Sequence, residues 1–232
     1  MTSLNLLSGG AAQGLVTQLE SQFFGEAGRA IRGTYGAVGM MRDKLLAGEP
    51  CDLIILTQAL IEQLSASGDV VAGSAQNLGC VKTGVAMKTG EAQPQLNTPD
   101  QLKATLLAAK GIYFPDPVKS TAGIHVMKVL KQLGIEEAVA AQLRPYPNGA
   151  TAMREMAACN ETGLIGCTQV TEILFAPGVE LVAHLPKEFE LNTVYTAGIC
   201  TQSDQPQAAS LLMDLLISPQ AASLRLTCGF ES

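Results

Sequence analysis

The opening of the chain twice spells out one phrase and then begins it again: an apolar run, a break, and apolar residues recurring at helical spacing. Leu4 to Leu7 reads as a buried strand that breaks at Ser8-Gly9-Gly10, after which Ala12, Leu15, Val16, Leu19 and Phe23 fall on one helix face. Ala30 to Thr34 reads as a second strand. It is followed by the loop Tyr35-Gly36-Ala37-Val38-Gly39 and a helix from about Met40 to Ala47, closed by Gly48. Asp52 to Leu56 is a third strand, ending at Thr57. Strands alternating with helices require parallel pairing, and a parallel sheet collects its ligand crevice at the carboxyl ends of its strands. The loops at Ser8, Tyr35 and Thr57 are therefore expected along one edge.

The middle of the chain starts afresh. Cys80 to Lys88 is a strand, Thr89 to Asp100 a polar connector, Gln101 to Lys110 a helix and Gly111 to Phe114 a strand. The segment Asp116-Pro117-Val118-Lys119-Ser120-Thr121 then leads into a helix carrying Val126, Met127, Val129, Leu130 and Leu133, with Thr121 as N-cap and Gly134 as stop. Asn148-Gly149 opens another helix, and Gly163 to Cys167 is a strand. Thr193 to Cys200 returns to strand, and helices begin at Pro206 and at Ser218-Pro219. With 232 residues, the chain suits two small lobes sharing one polypeptide. The rhythm and its return predict residues 1–80 and 195–232 as lobe one and 81–194 as lobe two, with a ligand cleft between them and hinge crossings near Gly79–Lys82 and Glu190–Thr193.

Composition removes several classes of function. A hydrophobic content of 47% against 16% charged residues, without low-complexity tracts, describes a folded domain. The net charge is −6 and the lysines and arginines are scattered singly, so no nucleic acid is expected as a partner. No apolar run reaches the roughly 18 residues that span a bilayer, so no membrane insertion is expected. The six cysteines form no CxxC pair and show no metal-ligand spacing, and the expectation is no metal and no cofactor. The opening MTSLNLL lacks a charged n-region and a small-residue cleavage site. The localisation expected is periplasmic if a leader has been removed and cytoplasmic otherwise, and unpaired thiols suit a reducing compartment.

Three runs, AGEPCDLIILT (Ala47 to Thr57), DPVKSTAGIHVMKVLKQLG (Asp116 to Gly134) and SPQAASLRLTCGF (Ser218 to Phe230), together with the opening strand-turn-helix, resemble the solute-binding proteins of molybdate-type ABC transporters. The resemblance covers nearly the whole length. It implies an α/β, two-lobed type 2 periplasmic-binding-protein-like fold, with two mixed sheets flanked by helices and a two-crossing hinge. It also implies a small anionic ligand and, if the chain is exported, an ABC permease as partner. In that family serine hydroxyls on the first two loops, backbone N–H groups at helix starts and a tyrosine in the second lobe hold the oxyanion. The matching positions here are about Ala11, Ala37, Val38 and Gly166, so the side-chain donors are replaced while the helix amides remain.

The expected ligand-binding residues are Ser8, Gly9, Gly10, Ala11, Tyr35, Gly36, Ala37, Val38, Thr57, Lys119, Ser120, Thr121, Asn148 and Gly149. Helix starts near Ala11, Met40, Ser120 and Gly149 offer amides without partners and positive dipole ends. A lysine with hydroxyls around such amides suits a carboxylate, which makes an organic polycarboxylate the expected ligand rather than molybdate. Lys119 is ordinarily a solvated loop lysine, but a cation at a helix start is disfavoured unless an anion joins it. His125 and His184 form no catalytic constellation by spacing. Proteins that isomerise aconitate resemble the same family. The alternative function is therefore isomerisation of a small di- or tricarboxylate, with Lys119, Tyr35 or Asp116 as base.

Overall fold

The structure is a computed structural model that describes residues 3–231. In chain order it contains β1 (Leu4–Gly9), a 3-10 turn (Gly10–Ala12), α1 (Gln13–Ala27), β2 (Ile31–Gly36), α2 (Val38–Leu46), β3 (Leu53–Thr57), α3 (Gln58–Ser67) and β4 (Gln76–Lys88). Next come α4 (Pro99–Ala108), β5 (Gly111–Pro115), α5 (Thr121–Gln132), β6 (Leu143–Tyr146), α6 (Gly149–Ala158), β7 (Leu164–Gln169), α7 (Val170–Phe175) and β8 (Val179–His184). The chain closes with β9 (Asn192–Ile199), α8 (Pro206–Ile217) and α9 (Ala222–Thr227). Two compact units result: one runs to Val81 and resumes at Thr193, and the other is Lys82–Asn192.

In the first unit the strand order is β2-β1-β3-β9-β4. β1 pairs in parallel with β2 from Leu4↔Ile31 to Gly9↔Gly36 and with β3 from Leu6↔Leu53, whereas β9 joins β3 antiparallel. The sheet is thus mixed: the parallel trio comes from the repeated strand-helix phrase, and the returning chain adds an antiparallel neighbour. Strands β1 and β3 are buried on both faces, which is why they read as continuous apolar runs rather than alternating ones. Leu6, Leu15, Phe23, Ile54, Leu212 and Phe230 share one core. Each such side chain contributes about 1.5–3 kcal/mol when withdrawn from water.

At the starting end of these strands Asp52 acts as a clasp. Its carboxylate accepts from Asn5 N and Ser203 Oγ, both at 2.8 Å, and from Gln205 Nε2 at 3.3 Å. These bonds tie β1, the lead into β3 and the approach to α8, and they answer the charge of a carboxylate that is 2% exposed.

In the second unit β7 lies between β4, which is antiparallel to it, and β5, which is parallel; β6 and β8 flank them. Successive residues of β4 face opposite sides, Val85 toward Leu102, Val126 and Leu130, and Ala86 toward Met153, Met156 and Ile173. Helices therefore cover both faces. α5 approaches the end of β5 so closely that a Cβ at Gly123 would lie 2.1 Å from the Asp116 carbonyl oxygen and 2.4 Å from that of Pro115.

Those neighbours are backbone and cannot turn aside, so Gly123→Ala must lift the first turn of α5 off the sheet. Urea unfolding of this variant is expected to show a loss of about 2–3 kcal/mol, the upper part of the overpacking range. An unchanged midpoint would contradict the close approach.

Candidate functional site

In the first unit the parallel strands end almost level, Gly9 opposite Gly36 and Ser8 opposite Ile55, and each runs directly into a helix. Gly9 precedes the Gly10–Ala12 turn that continues as α1, Ala37 precedes α2, and Thr57 precedes α3. None of the three supplies a side-chain oxygen to the amides that follow. The first amides of these helices thus meet the sheet edge without caps, where the helix dipoles add positive potential. Neighbouring strands lie about 4.8 Å apart, so the helix starts form a row roughly 10 Å long.

The walls of this edge are small and apolar. Ala11, Ala37 and Val38 are buried. A Cβ at Gly9 would sit 2.8 Å from Val38 Cγ1 and 3.1 Å from Tyr195 Cε1, which leaves no room for a hydroxyl-bearing residue there. Ser8 is fully buried, and its Oγ donates to the Gly9 carbonyl at 2.9 Å. Tyr35 lies within β2 rather than in a loop, because pairing with β1 continues through Gly36. Its ring folds back over Gly33, its hydroxyl is buried without a partner, and burial together with the charge of Glu20 pushes its pKa up. The phenol therefore keeps its proton.

In the second unit the segment after β5 is held by Asp116, whose Oδ1 accepts from Val118 N and Lys119 N, both at 2.7 Å. Ser120 N donates to the Asp116 carbonyl at 3.2 Å, and Ser120 stands as the buried N-cap residue of α5 without using its hydroxyl as a cap. The first turn of α5, Thr121 and Ala122, is a further uncapped start. Val118 and Lys119 are exposed. His125 is held by the Phe189 carbonyl at 2.8 Å, and His184 is exposed.

The start of α6 differs from the sequence expectation of amides without partners. Asn148 Oδ1 accepts from Thr151 N at 2.8 Å, and Gly149 N donates to Glu172 Oε1 at 3.1 Å. Glu172 also takes a 2.5 Å bond from Thr168 Oγ1 and bonds from the amides of Ala150 and Gln169. The chain therefore places its own carboxyl where an external anion would sit. A Cβ at Gly149 would fall 2.0 Å from both Glu172 Oε2 and Thr168 Oγ1. Burial pushes the Glu172 pKa up, and the four donors pull it back only in part. The spacing from Gln169 to Glu172, with glutamate three places on before an apolar run, signals the bond from the Gln169 amide at the start of α7 but not the capture of the α6 start.

Two further residues were not visible in the sequence. Thr83 lies opposite Gln169 in the β4–β7 pairing, and Thr171 sits in the first turn of α7. Both are buried, and neither hydroxyl has a hydrogen-bond partner. Both therefore lie at the junction where β7 passes into α7. Gly166 is filled from the side: a Cβ there would meet Met153 Cε at 2.5 Å. Among the described residues no cluster of three or more His, Cys, Asp or Glu is arranged to hold a metal ion.

Replacing Glu172 by leucine strands four buried donors, and Glu172→Leu is expected to lower stability by about 3–5 kcal/mol in chemical denaturation; a change below 1 kcal/mol would show that the carboxyl is dispensable. Thr83→Val and Thr171→Val remove hydroxyls that bond nothing in the folded chain. They are expected to leave the ligand-free melting temperature unchanged or raise it by a few degrees, and a marked fall would reveal a structural hydrogen bond.

A family model described as bacterial extracellular solute-binding protein matches residues 4–231. An aconitate isomerase from Pseudomonas sp is 26% identical over 230 residues, spanning 96% of this chain and 85% of that protein. The periplasmic molybdate-binding protein of Azotobacter vinelandii superposes with a TM-score of 0.80 at 19% identity, covering 99% of both chains. The sulfate-binding protein SubI of Mycobacterium tuberculosis gives 0.71 at 15% identity, covering 99% of this chain and 86% of its own. With a match over essentially its full length, and with the two-lobed α/β fold of these neighbours, the chain belongs to the bacterial extracellular solute-binding protein family.

Proposed function

We propose that this protein binds a small organic di- or tricarboxylate. The observation that carries the reading is the row of uncapped helix starts behind Gly9, Ala37 and Thr57, walled by Ala11, Ala37 and Val38. Amides at helix starts bind anionic oxygens in any small oxyanion. A buried tetrahedral dianion, however, needs donors around nearly all of its oxygens, since unpaired charge out of water is severely penalised. Alanine and valine side chains supply none. A polycarboxylate has charged ends separated by a short carbon chain, so the amides can take the ends while the apolar side chains meet the carbons. At the second unit's edge, Ser120, Thr121 and Lys119 offer the corresponding groups, and Thr83 and Thr171 hold hydroxyls in reserve. The ABC permease that the family implies is the partner in the receptor role, and the periplasm is its usual compartment.

A second reading, isomerisation of such an acid by proton abstraction and return, is favoured by the full-length likeness to aconitate isomerase. The candidate bases are Asp116, whose carboxylate accepts from two backbone amides, Tyr35, whose buried phenol holds its proton, and Lys119 before the start of α5, and substituting each in turn tests the role.

A thermal-shift panel checks the ligand class. Citrate, aconitate and tricarballylate are expected to raise the melting temperature by several degrees at saturating concentration, corresponding to about 2.7 kcal/mol at a hundredfold excess over Kd. Molybdate, tungstate and sulfate are expected to do little, and Lys119→Ala should weaken the response. Submicromolar molybdate binding would overturn the reading. Following the bound acid by proton NMR in heavy water separates the two roles: an unchanged acid marks a receptor, and exchange or isomerisation marks an enzyme.

A further inference from the structure

The end of the first unit's sheet opposite the helix starts carries a pair of thiols. Cys51 immediately precedes Asp52 at the entrance to β3, and Cys200 immediately follows β9. The antiparallel pairing Leu53↔Ile199 brings the two chain segments together, and Cys200 N donates to the Asp52 carbonyl at 3.0 Å. Cys51 Sγ bonds the Leu53 carbonyl at 3.1 Å, and the Cys200 thiol is within hydrogen-bonding contact of the Cys51 thiol. Both residues are buried, and both are reduced in this structure. The other cysteines lie on different elements: Cys80 in β4, Cys167 in β7, and Cys159 and Cys228 at the ends of α6 and α9.

We propose that Cys51 and Cys200 are joined by a disulfide when the protein folds in an oxidising compartment. The two positions flank the whole excursion of the chain through Lys82–Asn192, so the bond would close a loop containing the entire second unit. Loops of that length are where a cross-link most restricts the unfolded chain. The neighbouring Cys51 thiol and then burial push the Cys200 thiol pKa up, with Asp52 and Asp69 adding to it, so the folded reduced protein oxidises slowly and the bond forms during folding. Oxidised glutathione suffices as oxidant. One cysteine thiolate attacks it, giving a mixed disulfide and one glutathione thiolate. The second cysteine thiolate then displaces the remaining glutathione. Two thiol protons are released and two electrons pass to the oxidant.

The test is to refold reduced protein in a glutathione redox buffer, trap free thiols by alkylation after denaturation, and map the peptides by mass. The expected result is one linked pair, Cys51 with Cys200, four alkylated cysteines among the six, and a melting temperature that falls by about 5–10 °C on reduction. The Cys51→Ala/Cys200→Ala protein should lose this redox dependence. Alkylation of all six thiols after oxidative refolding, or a bridge between any other pair, would overturn the proposal. The peptide map of the unsubstituted protein decides this even if the double variant fails to fold.

Discussion

A helix that starts at the carboxyl end of a buried parallel strand leaves its first amides at the sheet edge, beyond the reach of backbone acceptors, and something negative or polar has to meet them. The architecture here repeats that junction at α1, α2, α3, α5 and α6. At α6 the chain answers it from within, using the Asn148 side chain and the Glu172 carboxyl. Elsewhere it does not: the N-cap positions of α1, α2, α3 and α5 contribute no side-chain acceptor. A cap typically stabilises a helix by about 1 kcal/mol, so its omission three times along the first unit's edge, and once more at α5 in the second unit, is a cost that an anionic ligand would offset on binding. The contrast between one self-satisfied start and several open ones is what gives the site its polarity and its place.

That contrast also separates fold from ligand. Proteins similar to this chain include a molybdate-binding protein and a sulfate-binding protein in fold and an aconitate isomerase in sequence, so amides at helix starts do not by themselves choose among anions. Choice falls to the groups beside them. At this edge those are Ala11, Ala37 and Val38, and at Gly166 the space is taken by Met153. Hydrophobic walls beside positive helix ends favour an anion that carries carbon, which is the physical content of the polycarboxylate reading.

Much of this was legible in the sequence because burial writes plainly. The runs at Leu4 and Asp52 announce strands covered on both faces, and the spacing of Leu15, Val16, Leu19 and Phe23 announces the helix that follows. Glycine marked the first junction: Gly9 sits where a side chain would collide with a neighbour, whereas the same constraint at Gly123 emerged only from the structure. Less was legible where tertiary structure decides. β6 carries Arg144 and Pro145, so its strand character comes from pairing with β5 rather than from its own pattern. Tyr35 looked like a loop residue until the register with β1 extended the strand past it. The capture of the α6 start by Glu172 depends on a partner 23 residues away, and the lone hydroxyls of Thr83 and Thr171 look, in sequence, like any other threonine.

The account rests on which amides meet the ligand, and nitrogen–proton correlation spectra recorded while titrating a tricarboxylate measure that directly. The largest shifts are expected at the amides of Gly10, Ala11, Val38, Gly39 and Gln58, with Gly149 unmoved because Glu172 already occupies it. Shifts concentrated at Gly149 and Ala150, or scattered without relation to the helix starts, would contradict the claim that uncapped helix amides form the anion site.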